Sequence, residues 1–223
     1  MNELTAVVLG STGLTGSLLL EQLLADNDFK LIRILVRKTV KMVHPKLEQV
    51  IVDFDDINDY ADKLGEGDII FCCVGTTQKK VKNDKIAYEK VDYDIPVNAA
   101  RIGIHKNFKK FLIVSAIGAN EQSSNFYLSL KGKTENAIAE IPFESIAIFR
   151  PSLLLGKRNE HRFGEKIARG IAEIFSFTFY GVLRKYHPVD AEKVATAMIR
   201  QSKSHNHGVH YFDFEGIMNL SEN

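Results

Sequence analysis

The sequence predicts an α/β fold: a doubly wound parallel sheet of Rossmann type, with helices on both faces and a small C-terminal substrate region. Three observations carry this. Short, almost uninterrupted apolar runs alternate with helical patterns along the chain, as expected of strands buried on both faces. A glycine-rich turn, Gly10–Gly16, joins the first apolar run to the first helical pattern. The length of 223 residues suits one α/β unit with a well-buried core and is short for two. Residues 1–223 are therefore read as one domain, with about 156–188 as its substrate-side insertion.

Leu4–Leu9 is valine-rich and stops at Gly10, and Leu14–Ala25 places leucines at helical spacing. Leu31–Val36 and Val50–Val52 read as the second and third strands, and Asp68–Val74 as a fourth that is apolar after Asp68. A long helical segment follows over Asp84–Ile104, with a kink expected before Pro96. Phe111–Ser115 is a fifth strand, Tyr127–Glu140 a helix and Ser145–Phe149 a sixth strand. Helices are expected at Phe163–Ile174 and Ala191–Gln201, and a last strand at Val209–Phe212. Right-handed crossovers make the doubly wound sheet the simplest topology, with ligands at the carboxyl ends of the strands.

Composition narrows the function classes. Hydrophobic residues at 45% and charged residues at 26% are ordinary for a globular protein, and a net charge of +1 supplies no field for nucleic acid or an acidic membrane. The longest apolar stretch, near Ile171–Leu183, contains Glu173, Ser176 and Thr178 and falls short of the roughly 20 residues of a membrane span. Nothing at the N-terminus reads as a signal peptide. The two cysteines, Cys72 and Cys73, are adjacent and cannot staple distant segments, so a reducing, cytoplasmic location is expected. They read as small hydrophobes at a strand end. No Cys or His lies at metal-ligand spacing, and no metal is expected.

In the turn Gly10-Ser11-Thr12-Gly13-Leu14-Thr15-Gly16, Gly10 permits the tight bend. Gly13 lets backbone approach a pyrophosphate, and Gly16 allows close helix–strand packing. The helix start that follows offers free N–H groups and positive dipole to phosphate. The second strand ends in Val36-Arg37-Lys38, where an NAD enzyme usually carries an acid for the ribose hydroxyls. Two cations there suit a 2′-phosphate, so NADPH is expected over NADH. Asp53 and Phe54 follow the third strand and either flank the adenine or, for Asp53, cap the next helix.

Tyr127 and Lys131 lie four residues apart on one helical face. An ammonium beside a phenol lowers its pKa, so Tyr127 reads as a proton donor to a carbonyl oxygen and Lys131 as its partner and ribose ligand. Ser115, at the end of the fifth strand, reads as a donor to the same oxygen. Ser123, Ser124 and Ser129 are rival serines, Ser129 being rotated away from Tyr127.

With these residues the chain resembles the short-chain dehydrogenase/reductases, in their atypical and extended branch. The segments Phe71–Thr77, Ser123–Phe126 and Phe149–Leu155 are similar to the Tat-interacting-protein group of NADPH-binding oxidoreductases. The resemblance implies that Thr12, Gly13, Leu14 and Thr15 contact the pyrophosphate, and that Arg37 and Lys38 take the 2′-phosphate. It places Cys73, Val74 and Gly75 along the adenosine side, Leu154 on the nicotinamide side, and Arg162 near a phosphate. The Asn-Asn-Ala-Gly segment of better-known members is replaced by Cys73-Val74-Gly75-Thr76, so no catalytic asparagine is assigned, although Asn98 is available.

The leading expectation is an NADPH-dependent reductase of a small carbonyl compound, monomeric or homodimeric. The alternatives are an NADPH-binding regulatory protein with a protein partner and little catalysis, and a sugar-nucleotide epimerase or dehydratase. Lys79, Lys80, Lys82 and Lys85 read as a solvated loop face, and Asp190 as a helix cap. Phe175, Phe177, Phe179 and Tyr180 read as core, a lid or a protein contact.

Overall fold

The computed structural model describes residues 3–77, 81–156 and 186–222. Strands β1 (Leu4–Leu9), β2 (Phe29–Val36), β3 (Leu47–Ile51), β4 (Ile69–Cys72), β5 (Lys110–Val114), β6 (Ser145–Phe149) and β9 (Gly208–Phe212) form one seven-stranded sheet. Its order is β3-β2-β1-β4-β5-β6-β9, and every neighbouring pair is parallel. The short strands β7 (Leu154–Leu155) and β8 (Val189–Asp190) pair separately. The strand order reverses between β1 and β4, which is where such sheets open a crevice at their carboxyl ends.

The sheet is apolar on both faces because helices cover both. On one face Leu19, Leu20 and Leu23 of α1 (Leu14–Ala25) join Val194, Ala197 and Met198 of α6 (Ala191–Lys203) over Ala6, Val8 and Phe71. On the other, Tyr60 and Leu64 of α2 (Ile57–Leu64), Val97 and Ala100 of α4 (Ile95–His105) and Ile138 of α5 (Phe126–Ala139) pack over Val7, Leu9, Ile70 and Ile113. The predicted doubly wound sheet is therefore the observed one.

Four local expectations are corrected. The helix expected over Asp84–Ile104 is three pieces: α3 (Lys85–Glu89), a π-helical turn (Lys90–Asp94) and α4. The break precedes Pro96, as expected, but takes the form of a widened turn rather than a kink. β3 starts three residues early, because Glu48 and Gln49 serve the sheet edge. Glu48 pairs with Arg33 at 2.7 Å, and Gln49 holds the backbone of Val40 and Met42. A helix not expected from the sequence, α7 (Phe214–Glu222), closes the chain; Asp213 accepts from the N–H groups of Glu215 and Gly216, and Ile217 enters the core. Asp190 occupies the N-cap position of α6, but its side chain accepts no capping hydrogen bond. The helix expected at Phe163–Ile174 lies outside the described residues, as do Arg162, Phe175, Phe177, Phe179, Tyr180, Lys79, Lys80 and most of the 156–188 insertion. Among the described residues, no helix is long and apolar enough to cross a membrane.

Candidate functional site: a nucleotide crevice at the carboxyl edge of the sheet

The turn between β1 and α1 is shaped by two steric demands. Gly10 has φ +77°, and a Cβ there would lie 2.6 Å from the Cys73 carbonyl carbon and oxygen. A Cβ on Gly16 would lie 2.1 Å from the Gly10 oxygen. These glycines let the turn nest against both the β4 exit and the first helical turn. Gly13 differs: its N–H donates to Gly10 O at 2.9 Å, and the nearest atom a Cβ would meet is that same oxygen at 3.3 Å. Gly13 is the N-cap of α1, and no side chain caps the helix, which leaves first-turn N–H groups without intrahelical partners. Ser11 and Thr15 are buried, and neither hydroxyl has a hydrogen-bond partner among the described residues. Thr12 is exposed and Leu14 half-buried. Uncapped amides beside two unpartnered hydroxyls fit a phosphate-bearing ligand.

Arg37 and Lys38 leave the carboxyl end of β2, both exposed, and neither enters an ion pair among the described residues. Asp53 is not the cap of α2. That role belongs to Asp56, whose carboxylate accepts from Asn58 and Asp59, while Asp53 accepts from Asp55 N–H in its own turn. Phe54 packs edge-on against Tyr60 with ring centroids 4.9 Å apart.

At the β4 exit, Cys72 is fully buried and Cys73 partly so, both as free thiols. Burial pushes the Cys72 thiol up to about 11 and raises Cys73 further. Cys72 lies in the core, and Cys73 packs against it while partly buried. Val74 rests on the core, and Gly75 is exposed.

Ser115 follows β5. Its N–H donates to Phe149 O at 2.7 Å, and its buried hydroxyl is without a partner among the described residues. Asn125 caps α5 by accepting from Leu128 N–H, and Ser129 turns away to donate to Glu121 O at 2.8 Å. Tyr127 and Lys131 share one side of α5, and the Tyr127 ring meets Tyr88 edge-on at 6.5 Å. Lys131 is only 4% exposed, and its Nζ lies 2.9 Å from Oδ1 of Asp92, itself 1% exposed.

Burial, with Asp92 adding to it, corrects the expected electrostatics of Tyr127. Burial raises the Tyr127 phenol above its ordinary value; the Lys131 charge opposes this only in part, and Asp92 adds to the rise. For Lys131, burial disfavours the ammonium, but Asp92 and Tyr127 outweigh it and hold the pKa above the usual lysine value. Tyr127 is therefore a protonated phenol through neutral pH, not an easily ionised one.

Asp92 is the residue that sequence reasoning missed. The available signal was an acid within an otherwise amphipathic helical run, four residues before a proline. Asn98 lies on α4 and is not the partner of Lys131. Further along α5, Glu135 is buried and binds Arg150 through both carboxylate oxygens, and Arg150 stacks on Tyr211 at 4.4 Å. This pair anchors α5 to the end of β6. Leu154 lies in β7, half-buried against the core. Among the described residues, no group of three or more His, Cys, Asp or Glu gathers as a metal site.

Residues 10–142 match the family model described as NAD(P)H-binding. Protein HTATIP2 of Rattus norvegicus is 33% identical over 172 residues, which cover 76% of this chain and 70% of that protein. Protein FMP52, mitochondrial, of Meyerozyma guilliermondii is 33% identical over 201 residues, covering 87% and 83%. Among solved structures, a UDP-N-acetylglucosamine 4-epimerase from Methanobrevibacter ruminantium superposes with a TM-score of 0.71 at 18% identity, over 100% of this chain and 81% of that one. At that identity the likeness speaks for the fold alone.

Proposed function

The chain belongs to the NAD(P)H-binding family, with Protein HTATIP2 and the FMP52 proteins among its relatives, and from that membership we propose that it is an NADPH-dependent oxidoreductase of short-chain-dehydrogenase type acting on a small carbonyl compound. The observation that carries this reading is the set of buried hydroxyls of Ser11, Thr15 and Ser115 at the carboxyl edge of the sheet, which have no hydrogen-bond partner among the described residues. Gly10 to Gly16 would hold the pyrophosphate, Arg37 and Lys38 the 2′-phosphate, Asp53, Phe54 and Cys73 to Gly75 the adenosine side, and Lys131 and Leu154 the nicotinamide half. Two exposed cations without ion-pair partners among the described residues favour the 2′-phosphate form over NADH.

When bound, the dihydronicotinamide supplies hydride. The protein's own part is proton delivery and charge stabilisation. Tyr127, kept protonated by burial, donates its phenolic proton to the substrate oxygen. Ser115 donates a hydrogen bond to that oxygen, and Lys131 stabilises the phenolate that remains. Measuring turnover across a carbonyl panel tests the reading: oxidation of NADPH that falls at least about 100-fold in Tyr127→Phe supports it, and turnover indifferent to that change contradicts it.

A second reading has its own observation. Asp92 engages the Lys131 charge and the phenol is pushed upward, which also suits an NADPH-binding regulatory protein that works through a protein partner with little turnover. Tight NADPH binding with no activity on any carbonyl would favour it. The epimerase reading draws on the fold of the solved neighbour, and NAD retained through purification would favour that one. For location, the free cysteines suit a reducing compartment. The cytoplasm is the proposed one, and the relatives printed as mitochondrial make mitochondria the alternative to be separated by fractionation.

A further inference from the structure

Pro96 has no N–H, so the Asp92 carbonyl lacks the donor that an unbroken helix would give it four residues on. The chain answers with a π-helical turn in which the Ile95 N–H reaches back five residues to Lys90 O. The released Asp92 carbonyl accepts from Thr134 Oγ1 at 2.9 Å. Such turns are frequent at functional sites, and this one carries the Asp92 side chain into the interior. One of its carboxylate oxygens takes a hydrogen bond and the other an ion-pair contact. Oδ2 accepts from the Thr76 N–H at 2.9 Å, and Oδ1 lies 2.9 Å from Lys131 Nζ. Thr76 belongs to the loop leaving β4, and its carbonyl accepts from Tyr88 OH at 3.1 Å. One carboxylate thus joins the β4 exit loop to the helix that carries Tyr127 and Lys131.

We propose that Asp92, itself anchored by the Thr76 N–H, is a positioning residue that holds Lys131 in place for the nicotinamide-side ribose; this rests on the nucleotide-site reading above. An amide cannot substitute. Asparagine offers one acceptor and one donor group, so whichever way it turns, its NH2 faces either the Lys131 ammonium or the Thr76 N–H. Only a group that accepts at both ends satisfies the two donors.

The test measures binding of NADPH and of 2′,5′-ADP, which has the 2′-phosphate but no nicotinamide ribose, by calorimetry. The proteins are the parent, Asp92→Asn, Asp92→Glu, Lys131→Met and the double variant Asp92→Asn/Lys131→Met, each checked for folding by circular dichroism. Asp92→Asn and Lys131→Met are each expected to weaken NADPH at least about tenfold while leaving 2′,5′-ADP within about twofold. The double variant is expected to bind NADPH no more weakly than Lys131→Met alone, because Asp92 acts through the lysine. Where Asp92→Asn does not fold, Asp92→Glu decides. It keeps the charge but displaces the ammonium by a methylene, and is expected to weaken NADPH selectively. Penalties that multiply in the double variant, equal loss of both ligands, or full NADPH affinity in Asp92→Glu would each overturn the assignment of Asp92 alone. Failure of the parent to bind NADPH would instead remove the nucleotide reading, and the proposal with it.

Discussion

Gly13 and Gly16 are three residues apart and should fail differently when a methyl is added. Gly16→Ala drives a Cβ to within 2.1 Å of the Gly10 oxygen, a backbone clash that no rotamer relieves. Denaturant unfolding should show a loss of at least about 2 kcal/mol. Gly13→Ala meets the Gly10 oxygen at 3.3 Å, a tight contact relieved by a shift of a few tenths of an ångström, so its stability loss should be clearly smaller than that of Gly16→Ala while NADPH affinity falls tenfold or more. Equal behaviour in both assays would mean that Gly13 shapes only the fold. At this scale the sequence made the glycine turn, Ser115, Tyr127 and Lys131 legible, because each sits at a fixed offset from a strand end. It did not reveal Asp92, whose importance arises from a proline four residues later and from a lysine thirty-nine residues away. The Tyr127 electrostatics were misread mainly because the lysine was visible in the sequence while the burial of the phenol was not, with the Asp92 charge adding to the rise.

Among the elements, α5 carries the candidate catalytic pair and is fixed by contacts remote from it. A Cβ on Gly132 would lie 2.2 Å from the Glu121 N and 2.4 Å from the Asn120 carbonyl carbon. Gly132→Ala should therefore push α5 away from the crevice and weaken NADPH binding, although Gly132 faces a loop. Unaltered affinity in a folded Gly132→Ala protein would contradict that linkage. Thr134→Val keeps the shape of the side chain but removes the hydroxyl that lies 2.9 Å from both Asp92 O and Leu130 O and is the side-chain donor to Asp92 O. Leaving that buried carbonyl unpaired should cost about 1–3 kcal/mol in chemical denaturation. The strongly periodic elements, β1, α1 and β6, were legible to the residue. The π-helical turn was not, because periodicity signals a helix but not a change in its hydrogen-bond ladder. Nor was α7, whose buried apolar residue, Ile217, is too isolated to mark a helical face.

For the whole molecule, stability should decline on the alkaline side. The buried Cys72 thiol is raised from 9.0 to about 11, so its contribution is fully present below pH 9, the unfolded value, and is lost as pH rises towards 11. A two-unit shift corresponds to about 2–3 kcal/mol. Lys131, also raised in the fold, contributes with the same sign above about pH 10.4. Melting temperatures between pH 8 and 11 should fall for the parent and fall less steeply for Cys72→Ala; parallel curves would contradict the burial assignment. The doubly wound topology that buries Cys72 was legible from the alternation of apolar runs with helices, since that pattern follows from covering a parallel sheet on both faces. Substrate choice was not, because it depends on side chains brought together from distant parts of the chain. We propose that the carboxyl edge of the sheet holds a crevice for a 2′-phosphorylated nicotinamide nucleotide. The measurement that tests it most directly is calorimetric titration of the purified protein with NADPH and NADH, alongside an Arg37→Glu/Lys38→Ala variant. Micromolar or tighter NADPH binding that is lost in the variant, with NADH unchanged or improved, is the predicted result; no binding of either nucleotide, or a variant that keeps its preference for NADPH, would contradict it.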